Sequence, residues 1–140
     1  MNRPPPSQMD TRTVTQPSSV VSSLMLSSSS LTGDEVCNLK GENLGHIKDL
    51  MIDTGSGQVQ YAVMSCGGFL GMGDRLFAIP WKELELDPEK KRFLLDAQAE
   101  WINDGPGFDK DDWPDMTDQQ WASSIASYYG KQDNRHPPRM

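Results

Sequence analysis

Cationic side chains are scarce in this sequence: 13 lysines and arginines stand against 20 aspartates and glutamates, a formal charge of -7 over 140 residues. Affinity for a phosphate backbone comes mostly from Lys and Arg displacing counterions, so a nucleic-acid partner is not expected. Cysteine is scarcer still. Cys37 and Cys66 are the two present, with no CxxC and no nearby histidine pair, which excludes the usual zinc spacings. Both sit in apolar, strand-like surroundings and are read as small core residues of a reducing compartment, with a disulfide as the other reading.

Long apolar runs are also missing. The stretches 13–33 and 54–73 lack charge, but the first is diluted by serine and the second is broken by Gly, Gln and Ser. Membrane insertion is therefore not expected. Asp10 precedes the weak apolar patch "VVSSLML" and no small-residue cleavage motif clearly follows, so the N-terminus does not read as a secretory signal. The expected location is the cytoplasm.

Catalytic groups are thin. Of the two histidines, His46 falls in a strand and His136 in the "HPPR" tail, and neither stands beside a serine or cysteine in a nucleophile motif. The acidic run "DKDDWPDMTD" holds Asp109, Asp111, Asp112, Asp115 and Asp118 but lacks the glycine and distal glutamate of a calcium loop. It reads as a solvated linker. No catalytic residue, cofactor or metal ligand is assigned.

What is present is one small domain's worth of patterned chain. Residues 1–30 are dominated by Pro, Ser, Thr and Gln, which cannot bury enough apolar area to offset the entropy of ordering, and are expected to be disordered. Within them Val20, Val21, Leu24 and Leu26 leave a second reading open, pairing with a sheet edge or a partner. From residue 31 onward short apolar segments recur between turn signals, the signature of a small antiparallel β domain over 31–96. Strands are expected at 35–39, 44–53, 58–66, 75–79, 84–86 and 92–95, reversed at "KGEN", "TGSG" and "DPEK".

Two strands carry internal conflicts. Ile47 lies on the odd face of its strand and Leu50 and Ile52 on the even one, so a β-bulge near Lys48 and Asp49 is expected, shifting the register and bending the strand. Val59, Tyr61 and Val63 share one face of the next strand while Ala62, Met64 and Cys66 share the other. Such a strand needs a cover on its outer face, from the C-terminal segment or from a second copy of the chain. Residues 97–130 form a helical extension: "AQAEWIND" reads as a short helix stopped by Gly105 and Pro106, and "TDQQWASSIASYYG" opens on a Thr117 and Gln120 capping box. Trp121, Ile125, Tyr128 and Tyr129 recur there at helical spacing, as an intramolecular packing stripe or a partner surface. Residues 131–140 read as a second disordered tail.

The segment "GGFLGMGDRLFAIPW" sets Gly67, Gly68, Gly71 and Gly73 before an apolar run. Dinucleotide-binding glycines read G-x-G-x-x-G before a helix, whereas here the order is G-x-x-G-x-G before a strand, and no Lys-Ser or Lys-Thr follows. The glycines are read as a strand-to-strand turn. Phe69, Leu70 and Met72 at its tip are either a plug for one barrel end or a docking surface. Trp81 follows Pro80, whose fixed φ can end the strand and turn the ring into the core.

The segment "GENLGHIKDLMIDTGSGQVQYAVMSCGGFLGMGDRLFAIPWKEL", residues 41–84, resembles the PRC-barrel proteins in its G-x-x-L-G-x-I, acidic strand end, Gly turn, Y-A-V, GGFLG and Pro-Trp. The tail "GPGFDKDDWPDMTDQQWASSIASYYG" resembles an extension of stand-alone bacterial members, and the similarity covers about residues 31–130. The resemblance implies a mainly β fold, a small six-stranded PRC-type β-barrel with short C-terminal helices. It also implies a binding or scaffold role, and no catalytic residue is carried over. The expectation is a non-enzymatic module acting through protein contacts, as a homodimer, with Phe69, Leu70, Met72, Trp121, Ile125 and Tyr128 as its interaction surface. Two other readings stand beside it: a barrel-mouth pocket using Tyr61, His46 and residues 67–73 for a small molecule or a reaction, and an assembly factor for a photosynthetic reaction centre or the ribosomal small subunit.

Overall fold

The computed structural model describes residues 24–67 and 74–130, and there all six strands expected from apolar alternation form. They are β1 (Glu35–Cys37), β2 (Asn43–Asp53), β3 (Gln58–Gly67), β4 (Asp74–Pro80), β5 (Leu84–Asp87) and β6 (Arg92–Leu95). Three short helices, α1 (Ser28–Leu31), α2 (Ala99–Asn103) and α3 (Gln119–Gly130), and a two-residue β7 (Phe108–Asp109) complete the chain. A 3-10 turn at Trp81–Glu83 links β4 to β5.

The hairpin across "TGSG" shows how local chemistry sets register. Asp53 accepts the amide of Gly55 and the hydroxyl of Ser56, and Gly57, at φ 78°, donates its amide back to the Asp53 carbonyl at 2.7 Å. Only glycine takes that φ without strain. The expected bulge also forms: pairing passes from Ile47 with Met64 directly to Asp49 with Val63, leaving Lys48 as the extra residue. Ile47 is thereby buried and Leu50 half-buried. A second shift lies between Met51 with Tyr61 and Ile52 with Val59, bending the β2–β3 ribbon again.

The expected closed six-stranded barrel is corrected. The strands form one seven-stranded sheet in the order β5-β6-β1-β2-β3-β4-β7, with β1 and β6 parallel and the other pairs antiparallel. Closing the six strands would require β4 to pair with β5. Instead Arg75 and Leu76 of β4 pair with Asp109 and Phe108 of β7, while the other end of β4 is Pro80, which has no N–H to donate. β7 arises in the acidic segment read as a linker.

β3 needs its two-sided cover, since Ala62, Val63 and Met64 are all 0% exposed. The chain supplies that cover itself: α3 packs on β4, and the Trp121 ring meets Tyr61 edge-on at 5.2 Å. Burial of each large apolar side chain, such as Phe77, Phe93 or Ile79, contributes about 1.5–3 kcal/mol. The cap of α3 is Asp118 rather than Thr117: Asp118 Oδ1 accepts the Gln120 amide at 2.8 Å, while the Thr117 hydroxyl donates to Asp115 at 2.6 Å.

Candidate functional site

β4 begins at Asp74 and pairs with Gly67 of β3, so a strand, not a helix, follows the glycine segment. That is the context of a turn and not of a phosphate cradle. Phe69, Leu70 and Met72 lie outside the described residues. Trp121, Ile125 and Tyr128, expected as surface, are turned against the chain. Ile125 is 1% exposed and joins the core, Trp121 is half-buried on Tyr61, and Tyr128 stacks on Trp101 at 4.0 Å while donating its hydroxyl to the Trp101 carbonyl. Ile125 thus takes the packing reading of the helix stripe, which closes the sheet's outer face. Burial pushes the Tyr61 phenol above its ordinary value.

Of the pocket read around Tyr61, His46 and residues 67–73, residues 68–73 lie outside the described residues, and Tyr61 and His46 stand apart. His46 pairs with Ser65 and Tyr61 with Met51, at separate points of the β2–β3 ladder, and His46 is exposed. Tyr61 instead borders a depression of about 370 Å³ with Gln58, Gln60, Pro80, Lys82 and Ala126. Cys37 and Cys66 are free thiols, the latter donating to the Leu44 carbonyl at 2.9 Å. Among the described residues no three of His, Cys, Asp and Glu gather to hold a metal, and no helix is long and apolar enough to cross a membrane.

What the structure does assemble is an apolar cleft of about 520 Å³. Leu50 and Ile52 from β2 and Val59 from β3 line one part, and Leu84 and Leu86 from β5 and Phe93 from β6 line another. Trp81 also lines the cleft, its ring edge-on to Phe93 at 5.7 Å; expected in the core, it is half-buried and packs against the core from the cleft side. The N-terminal segment reaches this cleft. Leu24 and Leu26 line it at 52% and 48% exposure, while Met25 between them is 96% exposed. Leu24 and Leu26 thus lie against the chain's own cleft without pairing to a strand; Val20 and Val21 lie outside the described residues. Ile52, at 52%, adds to the open apolar surface.

The polar part of the lining is small: Ser28 and Glu85 are its polar side chains apart from the Trp81 indole. Residue patterning alone turned Leu50 inward through the bulge and placed Leu84 and Leu86 on one strand. Their gathering along an unclosed seam depends on which strands meet, which local alternation does not encode.

Sheet and cleft together define a small β protein with a concave apolar surface and little chemistry in it. Residues 25–102, more than half of the chain, match the PRC-barrel domain. The chain belongs to the PRC-barrel domain family. A solved structure described as a 16S ribosomal RNA processing protein, RimM, of Pseudomonas aeruginosa is similar at 24% identity, covering 61% of this chain and 50% of that one, with a TM-score of 0.37. The chain thus spans about half the length of that protein. A comparison with curated proteins finds no match.

Proposed function

We propose that this chain is a non-enzymatic binding module that works through protein–protein contact, with the apolar cleft as its contact surface. The observation that carries the reading is the cleft itself: about 520 Å³ of leucine, isoleucine and aromatic lining, open at Leu24, Leu26 and Ile52. Concave apolar surfaces of this size are where binding energy is available, and exposed apolar patches left uncovered favour association. The lining supports binding over catalysis because it is mostly apolar, with one serine and one glutamate as its polar side chains apart from the Trp81 indole. Free cysteines fit a reducing compartment and hence a cytoplasmic setting. Assembly of the ribosomal small subunit or of a reaction centre is a narrower form of the same reading.

The test is parallel affinity capture from the native cell with the parent chain and Ile52→Lys. Ile52 is half-exposed, so the charge enters the cleft without entering the core. The reading expects specific co-purifying proteins with the parent and their loss with the variant; identical capture by both would count against the cleft. A thermal-shift screen of metabolites addresses the small-molecule alternative, since a bound ligand raises the melting temperature by mass action.

A further inference from the structure

The cleft has one wall of a distinctive kind. Leu84, Glu85 and Leu86 are consecutive residues of β5, yet all three line it. Successive side chains of a strand point to opposite faces, so a cavity that meets three in a row lies against the strand's edge rather than one face. β5 is the terminal strand of the sheet, paired with β6 on one side and with no other strand on its second side among the described residues. Its outer backbone N–H and C=O groups therefore border the apolar lining.

The N-terminal segment shows what form of chain this cleft accepts. Leu24 and Leu26 enter it while Met25 points away, the period-two alternation of an extended peptide laid on an apolar surface. Both leucines remain about half exposed, so this segment is a loose occupant.

Charge selects the partner. Asp87 on β5 is engaged by Arg92 at 3.2 Å, whereas Glu85 has no ion-pair partner among the described residues. A second copy adding its own "LELD" strand would set glutamate and aspartate against each other in a chain that already carries -7. Like charges on a short edge strand discourage self-pairing, and they favour a cationic stranger.

From these observations we propose that the cleft takes an extended, basic peptide of a partner protein, which adds as a strand to the free edge of β5. Aliphatic side chains at alternate positions fill the cleft, a Lys or Arg meets Glu85, and the Leu24 to Leu26 segment is displaced. Backbone pairing supplies affinity and the alternate pockets supply specificity. This rests on the contact reading above and specifies its geometry.

The probe is an acetylated, amidated heptapeptide alternating leucine and threonine with lysine at both ends, titrated into the full chain and followed by amide and methyl NMR. The expected result is saturable binding with shifts at Leu24, Ile52 and Leu86 and slowed hydrogen exchange along β5. N-methylation of the peptide at the amides facing β5 should weaken binding by about tenfold, the loss expected of a missing hydrogen bond or two. Ile52→Lys should weaken it by about tenfold or more. Glu85→Lys, at an exposed position that leaves the core alone, should reverse the preference so that a glutamate-ended peptide binds better than the lysine-ended one. Equal binding of the parent and N-methylated peptides would overturn strand addition. So would binding of dodecyl maltoside below its micelle concentration that matches or exceeds that of the peptide. Absence of peptide binding while capture still depends on Ile52 would overturn this inference alone; loss of both would remove the contact reading as well.

Discussion

Gly45→Ala is the substitution whose cost the structure defines most sharply. Gly45 sits inside β2 at φ 155°, where L side chains are rarely found, and a Cβ added there would stand 2.5 Å from the Ser65 carbonyl oxygen, with Cys66 Sγ and Met64 Cγ at 3.0 Å. The nearest obstacle is backbone in the neighbouring β3, held in a ladder on both sides, so it cannot swing away. The disfavoured φ costs about 1–3 kcal/mol and overpacking a further 1–3 kcal/mol, together roughly 2–6 kcal/mol. Against a total stability of about 5–15 kcal/mol this is a large fraction, and it corresponds to a fall in melting temperature of about 10–30 °C for a domain of this size. Circular dichroism melts of the parent and variant read it directly. Gly55→Ala is the control, because the nearest atom to its added Cβ is an Asp53 carboxylate oxygen at 3.5 Å, an ordinary contact, and its φ is not in the positive range. A Gly45→Ala melt within about 3 °C of the parent would refute the close β2–β3 approach, since a clash with fixed backbone must cost more than that.

Other substitutions probe the covering helix and the acidic segment. Asp118→Ala removes the side chain that accepts the Gln120 amide and should cost about 1 kcal/mol in a urea melt. The Thr117 hydroxyl and amide hold the Asp115 carboxyl below its ordinary 3.8, so its contribution to stability is present above 3.8 and lost as pH falls through the lower folded value. Thr117→Val removes the hydroxyl, and NMR titration should show the Asp115 value moving up toward 3.8. Burial raises the Tyr61 phenol above 10.0, so the neutral ring's contribution is complete below pH 10.0 and lost as pH rises through the folded value. Tyr61→Phe should flatten that alkaline loss in a pH series of thermal melts.

How much of this was legible in the sequence follows the range of the interactions involved. Each of the six main strands lies within about two residues of its expected position, because period-two alternation and turn chemistry act between near neighbours. The bulge at Lys48 was legible for the same reason: Ile47 and Leu50 cannot both turn inward without it. β7 was not legible. Two residues inside an aspartate-rich segment have no period to detect, and their strand character comes entirely from Arg75 and Leu76 across the ladder. The closed barrel was what the family resemblance implied, and the pairing of β7 on β4 is a departure that local patterning could not show. Helix α1 was likewise hidden in serines of low helix propensity, where Ser27 accepting the Ser30 amide caps a single turn. The cleft lay partly in view, in the unexplained aliphatics Leu24 and Leu26, but its wall is built from strands far apart in sequence.

Position-specific crosslinking tests the central claim, that this fold works through the seam beside β5, most directly. Benzoylphenylalanine is placed at position 52 in the cleft and, separately, at position 40 on the exposed turn between β1 and β2, and both proteins are irradiated in the native cell. The account predicts a discrete conjugate with a defined partner peptide from position 52 and none from position 40. Conjugates of the same identity and yield from both positions, or none from position 52, would contradict it.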